Sequence, residues 1–300
     1  MVYLSIKNTI LNFYDHQYKK LMIFSFIIVI ACIITLFAVK STTGEYFQKG
    51  VSLKGGITMT VPLDSTVNIN EIENALGSRY PKADIGVREI TEGGRPAALI
   101  IEAADITAQD LETTLPELGI SLKQGEYSIE SMGSSLGQRF FSQTIKALII
   151  AFIAMALVVF LTFRSVVPSL FVILTAASDI VSTLAVVGLL GIKMSTAGIA
   201  ALLMLIGYSV DTDILLTTKV LKRKSEGGTI FERIKGALRT GLTMTATAII
   251  AATIGLFFAQ SDTIKQIMLI TVIGLAFDLI YTWFQNAGIL RWYLERKHGN

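Results

Sequence analysis

Five ionisable side chains lie inside or at the end of apolar stretches of this chain: Asp179, Asp211, Asp213, Asp278 and Arg239. An aspartate at the centre of a membrane helix costs roughly 3 kcal/mol on insertion scales, so each needs a partner or a task. The task open to carboxyl groups near a guanidinium is reversible protonation. Shielding from water favours the neutral acid, and an approaching arginine favours the anion. Withdrawing Arg239 would bind a proton, and returning it would release one. The expected relay therefore runs through Asp211, Asp213, Arg239 and Asp179. Asp211 and Asp213 stand about 200° apart around a helix and face different neighbours. Gly207 and Tyr208 share the Asp211 side, while Ser209 and Thr217 share the Asp213 side. At a rise of about 1.5 Å per residue, Asp179 lies roughly 16 Å, Asp211 roughly 12 Å and Asp213 roughly 9 Å above the cytoplasmic edge. One layer holds them if their helices touch. The plainer alternative has Asp213 and Arg239 snorkelling to the interface while Asp179 and Asp278 merely join helices.

Other chemistries find little to work with. The single cysteine, Cys32, sits in an apolar run, so neither a disulfide framework nor a thiolate metal site is expected. His16 and His298 stand at opposite ends, which argues against zinc sites and Ser/His/Asp hydrolysis. No enzyme activity, cofactor or metal is expected. The segment Ser52-Leu53-Lys54-Gly55-Gly56 looks superficially like a phosphate loop, but it precedes a strand and offers no helix N-terminus to an anion. We read it as a tight turn.

These residues have to be positioned by membrane helices. Hydrophobic residues make up 52% of the 300 positions and charged residues 16%, with a mean hydropathy of +0.60. The apolar positions fall in six runs, residues 21–39, 145–163, 168–190, 195–218, 240–259 and 266–290, each long enough for a bilayer. The first is too long for a signal-peptide core and has no cleavage site after it, so it is read as a retained helix. Basic residues cluster in the N-terminal tail (Lys7, Lys19, Lys20), at Arg164, in the loop from Lys219 to Arg239, and at Arg291, Arg296 and Lys297. The opposite turns hold only Lys193 and Lys265. Six spans place every basic flank in the cytoplasm, with both termini. The loop from Lys219 to Arg239 lacks interleaved aromatics, so topology explains it and nucleic acid is not an expected partner. The expected layout is a tail over 1–20, a first span over 21–39, an external domain over 40–144, five spans over 145–290 and a tail over 291–300.

The external segment changes period. Its stretch from 41 to 143 carries 8 basic and 14 acidic residues, unlike the membrane part. Ile57, Met59 and Val61 alternate as in a half-buried strand, and Asn70 is expected to cap a helix with Ile72, Ala75 and Leu76 on one face. Two strand-like stretches, 83–91 and 97–103, flank the turn signal Glu92-Gly93-Gly94-Arg95-Pro96. Thr107 with Asp110 starts a second helix that Gly119 ends, and residues 127–131 form a last strand. The order βαββαβ is a ferredoxin-like split motif.

Several motifs together resemble the SecF members, in their archaeal type, of the SecD/SecF family within the resistance-nodulation-division (RND) transporter architecture. The match covers essentially the whole chain. Its most specific part is Ile206-Gly207-Tyr208-Ser209-Val210-Asp211-Thr212-Asp213 followed by a basic loop. Arg239-Thr240 resembles the arginine-threonine pair that opens the family's fifth span, Ser178-Asp179 stands where bacterial relatives have histidine-aspartate, and Gly50 to Gly56 stands at their Gly-x-Asp-Phe-x-Gly-Gly signature. The bacterial acid of the fourth span falls on Thr212 here, with an aspartate on either side, and which of the two takes its role stays open. The resemblance implies a six-helix RND-type half-bundle with an external α+β ferredoxin-like domain in the cell membrane. It implies SecD as the other half, association with the SecYE channel, and help to unfolded exported polypeptide, driven by the proton gradient. Gly207, Tyr208, Ser209, Thr212 and Thr240 would support the relay. A half of an RND-type exporter of small molecules or lipids, and a structural subunit that moves no ions, are the alternatives.

Overall fold

The computed structural model describes residues 2–63, 66–92, 95–123, 125–222, 229–259 and 261–298. Gly93 and Gly94 of the turn signal, and Arg223 and Lys224 of the basic loop, lie outside the described residues. In chain order the elements are α1 (Val2–Thr43), α2 (Val51–Lys54), β1 (Gly56–Pro62), α3 (Ile69–Arg79), β2 (Asp84–Glu92), β3 (Arg95–Ala104), α4 (Ala108–Glu117), β4 (Ser128–Met132), α5 (Ser134–Phe163), α6 (Val166–Leu189), α7 (Thr196–Lys222), α8 (Ile230–Phe258), α9 (Asp262–Ile280), a π-helical segment (Tyr281–Asn286) and α10 (Ala287–His298). They form two compact units. One comprises Met1–Gln48, Ala147–Ile192 and Ala197–Asn300, the other Lys49–Lys146 with Lys193–Thr196.

The larger unit is helical. Among the described residues six helices are long and apolar enough to cross a membrane, the sixth being α9, the π segment and α10 in one run. The first extends well beyond the apolar run 21–39 because nothing before Gly44 breaks a helix. Neither glycine nor proline occurs from Val2 to Thr43. Gly44 then stops it at φ 79°, its N–H donating to the Lys40 carbonyl at 2.9 Å. Pro168 sits in the first turn of α6, where the missing N–H costs nothing. The fifth span starts earlier than its apolar run. Thr229 and Glu232 form a reciprocal capping box. Arg239 is consequently inside α8, more than two turns from its start, and does not open the helix.

The smaller unit carries a four-stranded sheet in the order β2-β3-β1-β4, with every pair antiparallel. This is the split βαβ arrangement that the element order predicts. Ile57, Met59 and Val61 point to the buried face with Leu99 and Ile101, against Ile72 and Leu76 of α3 and Leu111 and Leu115 of α4. Burying each such side chain is worth about 1.5–3 kcal/mol. One expectation is corrected: Asn68, not Asn70, caps α3, its side chain accepting from the Glu71 N–H at 3.4 Å. Starting the helix at Ile69 still leaves Ile72 and Leu76 one turn apart on the buried side. Thr107 and Asp110 form the expected capping box, and Gly119 follows α4 at φ 80°.

The glycine-rich entry into this unit is one helical turn, α2, then Gly55 at φ 88° and Gly56 at φ 137°. A Cβ on Gly56 would stand 2.4 Å from the Ala103 carbonyl oxygen, and one on Gly137 2.5 Å from the Gly55 nitrogen. The entry also grips the turn that joins α6 to α7. Gly50 N–H donates to the Met194 carbonyl at 2.8 Å, and Thr196 N–H donates to Ser52 Oγ at 3.2 Å. Asp84 accepts from Lys54 at 3.0 Å and Lys193 at 3.2 Å. Burial pushes the Asp84 carboxyl up, but the two ammonium groups outweigh it and hold it below its ordinary range.

Candidate functional site

Three of the four membrane aspartates meet in the interior of the helical unit. Asp179 from α6 is 1% exposed, and Asp213 from α7 and Asp278 from α9 are fully buried. The elements supply a polar lining for them. Ser209, one turn before Asp213 on α7, donates to Asp179 Oδ2 at 2.5 Å. Thr282 Oγ1 lies 3.0 Å from Asp213 Oδ1 and 3.0 Å from Asp278 Oδ1. Asn286 Nδ2 donates to Asp213 Oδ1 at 2.7 Å. Gln285 Nε2 donates to Ser178 Oγ at 3.2 Å, and Ser182 and Tyr281 share a hydroxyl–hydroxyl bond of 2.5 Å.

Four of these residues, Tyr281, Thr282, Gln285 and Asn286, belong to the π segment. A π turn holds one more residue per turn than an α-helix, and such insertions recur at functional sites. Here it lets four fully buried polar side chains enter the interior from six consecutive residues. Close packing fixes the segment. Trp283, 2% exposed, lies against Gly241 of α8, where a Cβ would come within 2.3 Å of its Cζ2. Leu216, Val220, Ile234, Ala237, Leu290 and Leu294 complete the apolar cluster around it.

The cluster is rich in acceptors and poor in donors. Asp179 Oδ1, Asp213 Oδ2, Asp278 Oδ2, Gln285 Oε1 and Asn286 Oδ1 are buried without a hydrogen-bond partner among the described residues. No lysine or arginine bonds to the three carboxyl groups there. Burying a charge without compensation is expensive, and buried polar groups ordinarily find partners. Such an oxygen set suits protons.

The structure divides the residues singled out from sequence. Asp179, Ser209, Thr212 and Asp213 are buried, with the Thr212 hydroxyl donating to the Tyr208 carbonyl at 3.4 Å. Gly207, Tyr208, Asp211, Arg239 and Thr240 are exposed. Tyr208, Arg239 and Thr240 line an open groove of about 680 Å³ with Thr243, Thr247 and Ala251. The expected bond between Arg239 and an aspartate is thus absent among the described residues. The reason is angular: Asp213 turns inward to Thr282 and Asn286, whereas Arg239 is on the open side of α8. Along α8, Gly255 packs on Met268 while Thr247 and Ala251 face the groove. Sequence reasoning missed Thr282, Gln285 and Asn286 and left Asp278 unassigned. A signal existed, because Thr282, Gln285 and Asn286 are polar side chains deep in the apolar run 266–290, where they are costly in a bilayer.

Known proteins carry the same plan. Residues 115–296 match the family described as protein export membrane protein SecD/SecF, C-terminal. The chain is 35% identical over 286 residues to the protein-export membrane protein SecF of Pyrococcus furiosus, covering 94% of this chain and 93% of that one. It is 38% identical over 257 residues to the SecF of Methanocaldococcus jannaschii, covering 82% and 87%. A crystal structure of SecDF, a translocon-associated membrane protein from Thermus thermophilus, superposes with a TM-score of 0.73 at 16% identity. That superposition covers 94% of this chain and 38% of the SecDF chain, so this chain spans about two fifths of SecDF's length. The six apolar helices among the described residues, the split βαβ sheet, the family match and an identity of 35% over 94% of the chain to an archaeal SecF make this chain a member of the SecD/SecF family of protein-export membrane proteins.

Proposed function

We propose that this protein is the SecF-side half of a SecD–SecF complex that works beside the SecYE channel. It assists unfolded polypeptide emerging on the outer face and draws on the proton gradient. Both termini face the cytoplasm in this reading, and the split βαβ unit faces outward. The observation that carries the ion coupling is the meeting of Asp179, Asp213 and Asp278, from three helices, in a buried set of oxygen atoms bonded to hydroxyls and amides. Protonation there neutralises a charge at the contact of α6, α7 and α9, and a change of charge changes which helix packing is preferred. The turn between α6 and α7 is bonded into the outer unit, which gives that motion a covalent route outward.

The exposed residues Arg239, which lines the groove, and Asp211 have a second role in this reading. An arginine and an aspartate on lipid-facing helix surfaces are costly, so Arg239 and Asp211 are kept for the facing half supplied by SecD. Reconstituting the SecD–SecF complex in vesicles and imposing a pH gradient tests the coupling. Asp213→Asn is expected to abolish gradient-driven proton entry while the complex still assembles. Undiminished proton entry in both Asp213→Asn and Asp179→Asn would leave only the structural-subunit alternative.

A further inference from the structure

The proposal concerns where the proton sits, and it rests on the ion-coupled reading above. Thr282 Oγ1 is 3.0 Å from Asp213 Oδ1 and 3.0 Å from Asp278 Oδ1. A threonine hydroxyl owns one proton and can donate to one of these oxygens only. The other contact is a hydrogen bond only if a carboxyl oxygen brings the proton itself. Asn286 breaks the symmetry between the two acids. Its amide nitrogen donates to Asp213 Oδ1 at 2.7 Å, so that oxygen already accepts one N–H. Among the described residues no amide N–H reaches Asp278 Oδ1, whose bond is to the Thr282 hydroxyl, although the Ser209 and Thr245 hydroxyls also face its carboxyl.

We infer that Asp278 is the protonated member of an Asp278–Thr282–Asp213 chain and that Thr282 is the relay between the two acids. Asp278 Oδ1–H donates to Thr282 Oγ1, Thr282 Oγ1–H donates to Asp213 Oδ1, and Asn286 Nδ2–H donates to the same Asp213 oxygen. Transfer is a concerted hop. The O–H bond of Asp278 breaks as a new one forms at Thr282 Oγ1, while the original Thr282 O–H breaks as one forms at Asp213 Oδ1. The products are an Asp278 carboxylate, a neutral Thr282 and an Asp213 acid, with no net change in charge. A buried charge thereby moves from the helix α7 side of the cluster to α9 without any side chain crossing between helices.

The other titratable groups around this chain are few. Asp179 on α6 is held by Ser209, which also faces Asp278, and Thr245 of α8 faces Asp278 as well. Tyr281 of the π segment bonds to Ser182, and Cys32 of α1 faces Tyr281. Asn286 Oδ1 and Gln285 Oε1, both on fully buried side chains, have no partner among the described residues, so the cluster has spare acceptors for a moving proton.

Infrared difference spectroscopy of the full chain in lipid nanodiscs reads the proton directly, because a protonated buried carboxyl has a carbonyl stretch separate from the amide bands and sensitive to deuterium. Loss of one such band in Asp278→Asn, with that band retained in Asp213→Asn, is the expected result. Thr282→Val is expected to shift the band and Thr282→Ser to leave it in place. Retention of all carboxyl bands in Asp278→Asn, or their loss in Asp213→Asn alone, overturns the assignment. Should Asp278→Asn fail to fold, the band shift in Thr282→Val decides, and no shift there overturns the chain. In vesicles holding the SecD–SecF complex, Thr282→Val is expected to lose gradient-driven proton entry and Thr282→Ser to restore it. Full entry in Thr282→Val overturns the relay. A wild-type complex that carries no protons would instead refute the ion-coupled reading, while the infrared bands would still decide where the proton resides.

Discussion

Adding one methyl group at Gly241 tests whether the π segment is locked by packing on α8. The new Cβ would lie 2.3 Å from Trp283 Cζ2, 2.9 Å from its Cη2 and 3.1 Å from Thr212 Cγ2. Ordinary carbon contacts begin near 3.5 Å, so Trp283 must retreat by about 1 Å. Its neighbours Thr282 and Asn286 hold Asp213 at 3.0 and 2.7 Å. A backbone shift of that size carries one or both bonds toward the limit near 3.5 Å, where hydrogen bonding fails. Overpacking costs about 1–3 kcal/mol, and a lost bond to a charged group about 1.5–3 kcal/mol. Alanine's better helix propensity returns about 1 kcal/mol. The expected net loss for Gly241→Ala is therefore on the order of 2–4 kcal/mol. Gly236, on the same helix, is an internal control, since a Cβ there meets nothing within 4 Å. Gly236→Ala is expected to gain up to about 1 kcal/mol. Denaturant titration of the purified chain in mild detergent, read by tryptophan fluorescence, measures both. Buried Trp283 is one of only two tryptophans, so its emission should move in Gly241→Ala alone. Equal stability of the two variants with unchanged emission would refute the lock.

Three further outcomes are expected. Gly56→Ala should destabilise the chain by about 2–4 kcal/mol, because φ 137° and a 2.4 Å approach to the Ala103 carbonyl leave no room for a side chain; a thermal midpoint equal to that of wild type would contradict this. Asp84 is held below its ordinary range, so its contribution is complete above about pH 4 and fades as pH falls through its folded value. With the carboxyl 47% exposed, each bond to Lys54 or Lys193 is worth under about 1 kcal/mol, and Asp84→Asn should remove the pH-dependent part of the midpoint between pH 3 and 5. Finally, Asp211→Asn with Arg239→Gln should leave the isolated chain as stable as wild type, since both side chains are exposed, but should reduce SecD recovered by affinity purification. Unchanged recovery would remove Asp211 and Arg239 from the partner-binding reading.

The sequence alone determined the membrane class, the six spans and the succession of strands and helices in the smaller unit. Those follow from local causes: run length against bilayer thickness, strand alternation, and caps such as Thr107 with Asp110. It also picked out the aspartates, because an ionisable group in an apolar run is costly wherever it ends up. Boundaries were less legible. Capping at Asn68 rather than Asn70, and at Thr229 eleven residues ahead of the apolar run, turned on which side chain reaches a free N–H. Only the tertiary structure decided which acids share a site. Asp211 and Asp213 are alike in type and separated by one residue, yet one lies on an open face and the other is fully buried. That choice depends on the rotation of α7 against α6 and α9 and on a π turn, to which no single residue in the run 266–290 is a guide. Helix rotation and turn width are set by packing between distant segments, of the kind that seats Trp283 on Gly241. The pairing of Asp213 with Asp278, rather than with Arg239, follows from it.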